Sequence, residues 1–358
     1  MFKQFLPEHI ELTNVEITLI ILVILVFVLL GIALLLALMT IYLRFRNMAM
    51  SKRWRKLEEK WNSIIIQIIS ENVPIERLTA TIHKSEKLYF VQFLMRFAER
   101  FTGKEFKIIE QLARPFLPLI VERSQGGNPE RRARAIQTLS VLGFDEFSYS
   151  IVKSLDDESP MVAMVAARSL ARKDYSDYIK FILPRMDRFE NWSMNYFSSL
   201  LTSFGPGALK EIRNTYGDPA QSSRIRVACM SAMRNLSDLE GVPVAQRVLG
   251  ETDDIELLAT TLRFIKKMGS QKQHDAVRPL IEHKDFIVRA NALSALGRIG
   301  STADEVCLKK GLEDDSNWVA VHAAKALLQL GMKRALELIA DSNHPRANLA
   351  NQVLTENV

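Results

Sequence analysis

The residues of this 358-residue chain whose types and spacing suggest chemistry are arginines and lysines at helical intervals. Arg168 and Arg172 are four residues apart, and this spacing places both side chains on one face of a helix. A row of such cationic groups favours binding of an acidic partner, although a solvated helix face gives the same pattern. The predicted partner-binding residues, called here the basic stripe, are Arg134, Arg168, Arg172, Arg263, Lys267, Arg298 and Lys325, with Tyr196, Asn291 and His322 between them.

Residue patterns that hold metal ions or activate nucleophiles are missing from the sequence. None of the six histidines forms a His-x-x-x-His pair, and the two cysteines, Cys229 and Cys307, are far apart and lie within helical patterns typical of core residues. Gly126-Gly127 and Gly205-Pro206-Gly207 lack the Lys-Ser/Thr that follows a phosphate-binding loop, and they predict turns between helices. We therefore expect no metal, no cofactor and no enzymatic activity.

The positive charge of the chain is concentrated near its N-terminus. Residues 1–56 contain seven basic and three acidic side chains, whereas the remaining 302 residues contain 40 basic and 38 acidic ones. The sequence pI of 9.2 is thus a local feature, and nucleic acid is an unlikely partner. A hydrophobic content of 48% with two cysteines also excludes a disordered tail and a small disulfide-linked scaffold.

Residues 17–43 contain no charged side chain and are dominated by Ile, Leu, Val, Ala and Phe. A helix of this length spans roughly 40 Å, which exceeds the ~30 Å hydrocarbon core of a bilayer. A secretory signal peptide would need a basic leading region and a shorter apolar core, but the residues before this segment are acidic. The segment is therefore predicted to be a transmembrane helix.

Basic residues flank only the C-terminal side of this helix closely, which predicts an external N-terminus and a cytoplasmic C-terminal domain in a bacterial inner membrane. Two tryptophans lie among or just after them, so this stretch is predicted to contact anionic lipid headgroups. A flanking helix that only fixes orientation is the alternative. The predicted membrane-surface residues are Arg44, Arg46, Lys52, Arg53, Trp54, Arg55, Lys56 and Trp61.

A helical pattern recurs along the rest of the chain, for example as Val288-Arg-Ala-Asn-Ala-Leu-Ser-Ala-Leu296. Each copy follows a shorter amphipathic stretch and a polar turn, so each unit is predicted to be a helical hairpin. No strand pattern is found. The seven copies begin, at intervals of 31 or 32 residues, at Arg131, Val162, Ser193, Ile225, Leu257, Val288 and Val319.

These copies resemble HEAT repeats of the short bacterial type, Val-Arg-x-x-Ala-x-x-Ala-Leu, most closely at 288–296 and 225–233. The resemblance implies an all-α protein in which a single transmembrane helix precedes an α-solenoid of about seven to nine hairpins, with the second helix of each hairpin on the concave face. The expected divisions are an external segment at 1–16, the transmembrane helix at 17–43, a basic juxtamembrane helix at 44–72, an irregular helical cap at 73–127 and the solenoid at 128–358.

The second helices are predicted to carry a one-sided charge. The first twelve residues of the seven copies contain fourteen basic and no acidic side chains. Two of these bases, Arg226 and Arg289, are expected to pair with turn acids of neighbouring repeats, which leaves the basic stripe for a partner.

The expected function is that of a non-enzymatic, membrane-anchored scaffold or adaptor, an accessory subunit that binds an acidic segment of a membrane-associated protein. Envelope polysaccharide synthesis or export with a glycosyltransferase is the setting suggested by analogy. Similar repeats also build di-iron hydroxylases, whose His-Glu pairs are absent here, and bilin lyases. A lyase or modifying enzyme that uses the same groove is the alternative.

Overall fold

A computed structural model describes residues 14–71, 73–189 and 192–356. The described residues form twenty α-helices, joined by short 3-10 turns and loops, and contain no strand. They divide into two compact units, one ending at Leu112 and the other beginning at Ala113. The predicted external segment lies almost entirely outside the described residues.

The first unit is built on one helix of 58 residues, α1 (Asn14–Glu71), which covers the predicted transmembrane segment and continues without a break through the predicted juxtamembrane segment as far as Glu71. Three shorter helices follow: α2 (Glu76–Thr79), α3 (Lys87–Ala98) and α4 (Gly103–Ala113). Within the described residues, Leu22–Arg46 is the stretch long and apolar enough to cross a membrane, and none of it is buried. Membrane anchors and signal sequences share these properties.

The C-terminal part of α1 belongs to the core of the first unit. Trp61 is 1% exposed, and its ring lies 5.1 Å from that of Phe90 and 5.5 Å from that of Phe93, both on α3. Ile65 and Ile68, on the same side of α1, are also buried. The prediction that Trp61 lies at the membrane surface is therefore wrong, because this apolar stretch packs against protein.

The second unit consists of eight successive helical hairpins, in agreement with the predicted seven to nine. The first helices are α5 (Leu117–Gln125), α7 (Phe144–Lys153), α9 (Ile179–Ile182), α11 (Leu209–Gly217), α13 (Val242–Glu251), α15 (His274–Val277), α17 (Glu305–Leu312) and α19 (Lys333–Ala340). The second helices are α6 (Pro129–Leu142), α8 (Pro160–Leu170), α10 (Met194–Ser203), α12 (Ser223–Asn235), α14 (Ile255–Met268), α16 (Phe286–Ile299), α18 (Asn317–Gln329) and α20 (Ala347–Glu356). The residues from Ala113, which the sequence suggests are part of a cap, join this unit and supply its first helix.

Polar residues at the turns fix where the second helices begin. The side chain of Asn128 accepts a hydrogen bond from the backbone of Arg131 and caps α6. Ser222 and Asp254 cap α12 and α14 in the same way, which satisfies amide groups that have no partner inside a helix. The turn at Gly205 requires a positive φ of 70°, a conformation that glycine adopts without strain.

Small residues let neighbouring second helices pack side by side. This packing joins α6 to α8 and continues from α10 through α12, α14 and α16 to α18. At the contact of α16 with α18, a Cβ atom added to Gly297 would lie 2.7 Å from the Cα of Ala326. Equivalent positions of successive repeats are thereby brought next to each other.

Candidate partner-binding face

Two arginines near the start of second helices tie neighbouring hairpins together. Arg289 forms two hydrogen bonds with Asp314, of 2.7 and 2.9 Å, and Arg132 forms two with Asp157, both of 2.8 Å. The hydrogen bond from Arg289 holds the pKa of Asp314 below its ordinary value. The prediction that Arg289 pairs with a turn acid is confirmed.

Arg226 occupies the equivalent position of α12 but has a different environment. It is buried, donates to the backbone carbonyl of Tyr216 at 2.9 Å and stacks over the ring of that residue. The prediction that Arg226 pairs with a turn acid is wrong. The residue that corresponds to Asp157 and Asp314 is Glu251, which lies at the end of α13 and pairs with Arg247 instead.

The N-terminal members of the basic stripe are mostly used within the solenoid. Arg134 forms a 2.6 Å ion pair with Glu130. Arg172 is half-buried, donates to the carbonyl of Ser140 and lies 4.9 Å above the ring of Phe144. The contacts of Arg172 lie within the solenoid, which corrects its prediction as a partner-binding residue, whereas the side chain of Arg134 stays 72% exposed and its role remains a prediction.

Two further N-terminal stripe residues form weaker contacts. Tyr196 is half-buried, and its hydroxyl donates to the carbonyl of Met164 at 3.4 Å. Arg168 is exposed and donates to the hydroxyl of Ser203 at 3.0 Å, which leaves its charge uncompensated.

Cations from α12 and α14 lie together in the C-terminal half. Lys267 donates to the backbone carbonyl of Arg234 at 2.9 Å, and Lys266 donates to the hydroxyl of Ser294 at 2.8 Å. Arg263 is exposed and donates to the hydroxyl of Thr260. Partial burial, and then repulsion from Arg234, lower the pKa of Arg263. All these acceptors are neutral.

The stripe residues of α16 flank this group. The side chain of Arg298 is exposed and forms no ion pair or hydrogen bond with any described residue. The side-chain amide of Asn291 donates to the carbonyl of Ile287 one turn earlier.

The stripe residues of α18 lie in the same electrostatic neighbourhood. Burial lowers the pKa of His322, and the nearby ammonium groups of Lys266 and Lys325 lower it further. The ring of His322 contacts that of Trp318 at 4.9 Å. Lys325 approaches one carboxylate, that of Glu356, at 3.7 Å.

Several basic residues of the first helices and turns form ion pairs with carboxylates. Arg185 and Arg188 both bind Asp156, and Lys310 binds Glu282 at 2.8 Å. Basic side chains of the second helices that form no hydrogen bond to a carboxylate, together with His322, make up what we call the second-helix basic face. Its members are Arg168, Arg234, Arg263, Lys266, Lys267, Arg298, His322 and Lys325.

The structure also changes the expected distribution of acids and adds two cations to the predicted set. Glu130 and Glu256 lie on second helices that begin before the twelve residues considered in each copy, and Glu356 lies at the end of α20, which is outside the seven copies. Arg234 and Lys266 are not in the basic stripe, although both occupy the same position of their repeats, one residue before the last position of the stripe. This shared position in the repeat is the sequence feature from which both cations could be predicted.

The predicted membrane-surface residues follow the apolar span on α1. Arg44, Arg46, Lys52, Arg55 and Lys56 are exposed, whereas the side chain of Arg53 lies outside the described residues. Trp54 is half-buried and contacts the ring of Tyr89.

Neither cysteine has the properties of a nucleophile. Cys229 is fully buried, which confirms it as a core residue and raises its pKa to about 12. Burial also raises the pKa of Cys307. A thiol needs a lowered pKa to react near neutral pH. Among the described residues, no group of three or more His, Cys, Asp or Glu side chains is arranged to hold a metal ion.

Residues 244–329 and 275–354 match HEAT repeats. The second unit is thus a HEAT-repeat α-solenoid, a scaffold suited to protein binding. No curated protein matches the sequence.

Several solved structures show a distant similarity to this chain. The complex of CpcE and CpcF, the phycocyanin lyase from Nostoc, is 17% identical over 67% of this chain and 87% of that chain, with a TM-score of 0.30. A designed armadillo repeat protein is also 17% identical, over 60% and 99%, with a TM-score of 0.31. The karyopherin Kap121p bound to RanGTP is 13% identical, over 78% and 42%, with a TM-score of 0.39. At these scores the likenesses carry no argument about function.

Proposed function

We propose that this protein is a membrane-anchored HEAT-repeat scaffold whose second-helix basic face binds an acidic segment of a partner protein. One observation carries the proposal: Arg168, Arg263 and Lys267 donate to hydroxyls or backbone carbonyls, not to carboxylates. These bonds order the side chains without a hydrogen bond to any carboxylate. A carboxylate offered by a partner would therefore gain charge-assisted hydrogen bonds with cations that are already positioned.

The charge distribution supports an acidic protein segment as the ligand. Besides burial, repulsion from Arg234 lowers the pKa of Arg263, so these two cations destabilise each other when the face is empty. An acidic ligand would relieve this repulsion, whereas a basic ligand would increase it. The face extends over several neighbouring second helices, so it suits an extended segment better than a small anion.

The continuity of α1 supports a membrane anchor. A signal peptide is removed from the mature protein, but here the apolar span runs without a break into Trp61 and Ile65, which are buried in the first unit. The exposed cations from Arg44 to Lys56 follow the span directly and would lie among anionic headgroups on the cytoplasmic side. We place the protein in a bacterial inner membrane, with the solenoid in the cytosol.

An anchored solenoid would meet partners that are themselves at the membrane. The role proposed is an accessory subunit of an inner-membrane complex, such as one for envelope polysaccharide synthesis or export with a glycosyltransferase. The protonated thiols of Cys229 and Cys307 give no support to the alternative of a lyase.

Photocrosslinking in native membranes tests this proposal. A photoreactive amino acid replaces either Arg298 on the second-helix basic face or Lys210, an exposed residue of the first helix α11. We expect both variants to remain in the membrane pellet after an alkaline wash. We expect position 298 alone to crosslink to an acidic segment of a membrane-associated protein. Release from the pellet would contradict the anchor, and the same crosslinks from both positions would contradict the binding face.

A further inference from the structure

Two large apolar side chains at one end of the second-helix basic face have no role in the function proposed above. Trp318 on α18 is 57% exposed, and Ile287 on α16 is 39% exposed. The residues that precede them at the start of each helix are also exposed or half-buried, so this end of both helices is open to solvent. Side chains of this size gain about 1.5–3 kcal/mol when fully removed from water, so a partner that covered both would bind more tightly.

Helical geometry places these side chains on the same side as the cations. Residues four apart in a helix lie on one face, so Trp318 aligns with His322 and Ile287 aligns with Asn291. The ring contact between Trp318 and His322 shows this alignment directly. Lys325 follows Trp318 by seven residues, or roughly 10 Å along the helix axis.

The packing of α16 against α18 brings the apolar residues of the two helices next to each other. Ile287 and Trp318 are each the residue immediately before the repeat start, and equivalent positions of adjacent second helices are neighbours. They form one apolar patch at the start of the two helices, and on α18 this patch adjoins His322, whose charged neighbours are Lys266 and Lys325.

Two other second helices carry an acidic residue at the position immediately before the repeat start. In α6 it is Glu130, which forms an ion pair with Arg134, and in α14 it is Glu256, whose charge acts on Arg263. A group at this position therefore reaches the cations of its own helix. In α6 and α14 the chain supplies a carboxylate there, whereas in α16 and α18 it supplies an apolar surface.

We infer that the segment bound by this face is acidic and also amphipathic, with a large apolar residue that packs on Ile287 and Trp318. Its carboxylates would meet Lys266, Arg298 and Lys325. This inference rests on the proposed function, because it describes the partner of the same face. Trp and Arg are the residue types most often dominant in binding energy, and the apolar contact would exclude water from the adjacent ion pairs.

A pair of synthetic peptides tests the inference on the full chain in nanodiscs of neutral lipid. One labelled peptide contains Glu, Asp, Gly and Ser, and the other differs only by Phe in place of its central Gly. Fluorescence anisotropy measures the affinity of each, with empty nanodiscs as the blank. We expect the Phe peptide to bind about tenfold more tightly to the natural chain.

Two variants test whether the tighter binding of the Phe peptide comes from its contact with the apolar patch of Ile287 and Trp318. Trp318→Ala should remove most of the tenfold difference, whereas Leu338→Ala should preserve it, because Leu338 is 64% exposed but lies on the first helix α19. Equal affinity of the two peptides for the natural chain would overturn the inference and leave the proposed function intact. Failure of both peptides to bind would overturn the proposed function and the inference together. Self-association of the protein that Trp318→Ala abolishes would assign the patch to a second copy instead.

Discussion

Arginine serves two purposes in this solenoid, and its position within the repeat decides which. Arg132 and Arg289 lie near the start of their helices, where each forms two hydrogen bonds with a turn carboxylate. Arg168 and Arg263 lie further along and find only hydroxyl acceptors. The first pair stabilises the stacking of hairpins, and the second pair keeps a charge that a partner can use.

His322 gives the proposed face a dependence on pH. Burial and the charges of Lys266 and Lys325 lower its pKa below the ordinary value of 6.5, so the ring is neutral near pH 7 in the free protein. A bound carboxylate would favour the imidazolium form and raise the pKa, so binding takes up a proton. Affinity for an acidic peptide should therefore increase as the pH falls from about 8 to about 5.

His322→Gln is the control for this prediction. Anisotropy titrations across the same pH range should show a weaker dependence in the variant, since glutamine does not titrate. Folding should respond in the opposite direction, because the unfolded chain takes up a proton near pH 6.5 that the folded chain resists. Stability is thus lost as the pH falls through that value. Identical pH profiles of binding for the two proteins would refute the role given to His322.

At the scale of elements, the close approach of neighbouring second helices depends on small residues at their contact. Gly297 is buried in α16 where it meets α18, and Ala292, Ala323 and Ala326 are buried in the same region. Because backbone lies directly against Gly297, a side chain there cannot be accommodated by a rotamer change alone.

Gly297→Ala should lower the free energy of unfolding by about 1–3 kcal/mol, since its Cβ would force α16 and α18 apart. Gly250→Ala is the matched control, because Gly250 lies in α13 with no atom near its would-be Cβ. That change should be neutral or stabilising by up to about 1 kcal/mol, the helix propensity difference between Gly and Ala. Urea unfolding of the full chain followed by circular dichroism measures both. Equal midpoints for the two variants would refute the packing described for Gly297.

The elements were predictable from sequence wherever a local pattern determines them. Small residues recurring at a fixed interval identify the second helices, and acids or serines before them identify the turns. Trp61 was not predictable in this way, because its burial depends on Phe90 and Phe93, which lie elsewhere in the chain. The prediction for Arg226 is wrong for a similar reason, because the partner of this arginine depends on which residue occupies the matching position of the next turn. The face itself was predicted in part: the exposed members Arg168, Arg263, Lys267 and Arg298 were identified, whereas the pairing of Arg134 and the packing of Arg172 required the structure.

At the scale of the whole molecule, charge and apolarity are separated along the chain and between the two helices of each hairpin. The near-zero mean hydropathy of +0.02 averages a bare apolar helix with a water-exposed solenoid. The net charge of +6 combines a basic stretch after that helix with a solenoid in which Arg168, Arg263 and Lys267 of the second helices donate to neutral acceptors. The central claim is that these second-helix cations bind an acidic partner, and it does not depend on the total charge.

Charge reversal on the two helix sets tests that claim most directly. The triple variant Arg168→Glu, Arg263→Glu, Arg298→Glu alters the second-helix basic face. The triple variant Lys153→Glu, Lys210→Glu, Arg334→Glu changes the net charge equally through exposed residues of the first helices. At physiological ionic strength, exposed charges more than about 8 Å apart are largely screened from each other. Each variant therefore changes the electrostatic potential mainly near its own substituted residues. We predict that an acidic peptide binds the first variant at least about tenfold more weakly and the second within about twofold of the natural chain. An equal loss of affinity in both variants would contradict the account.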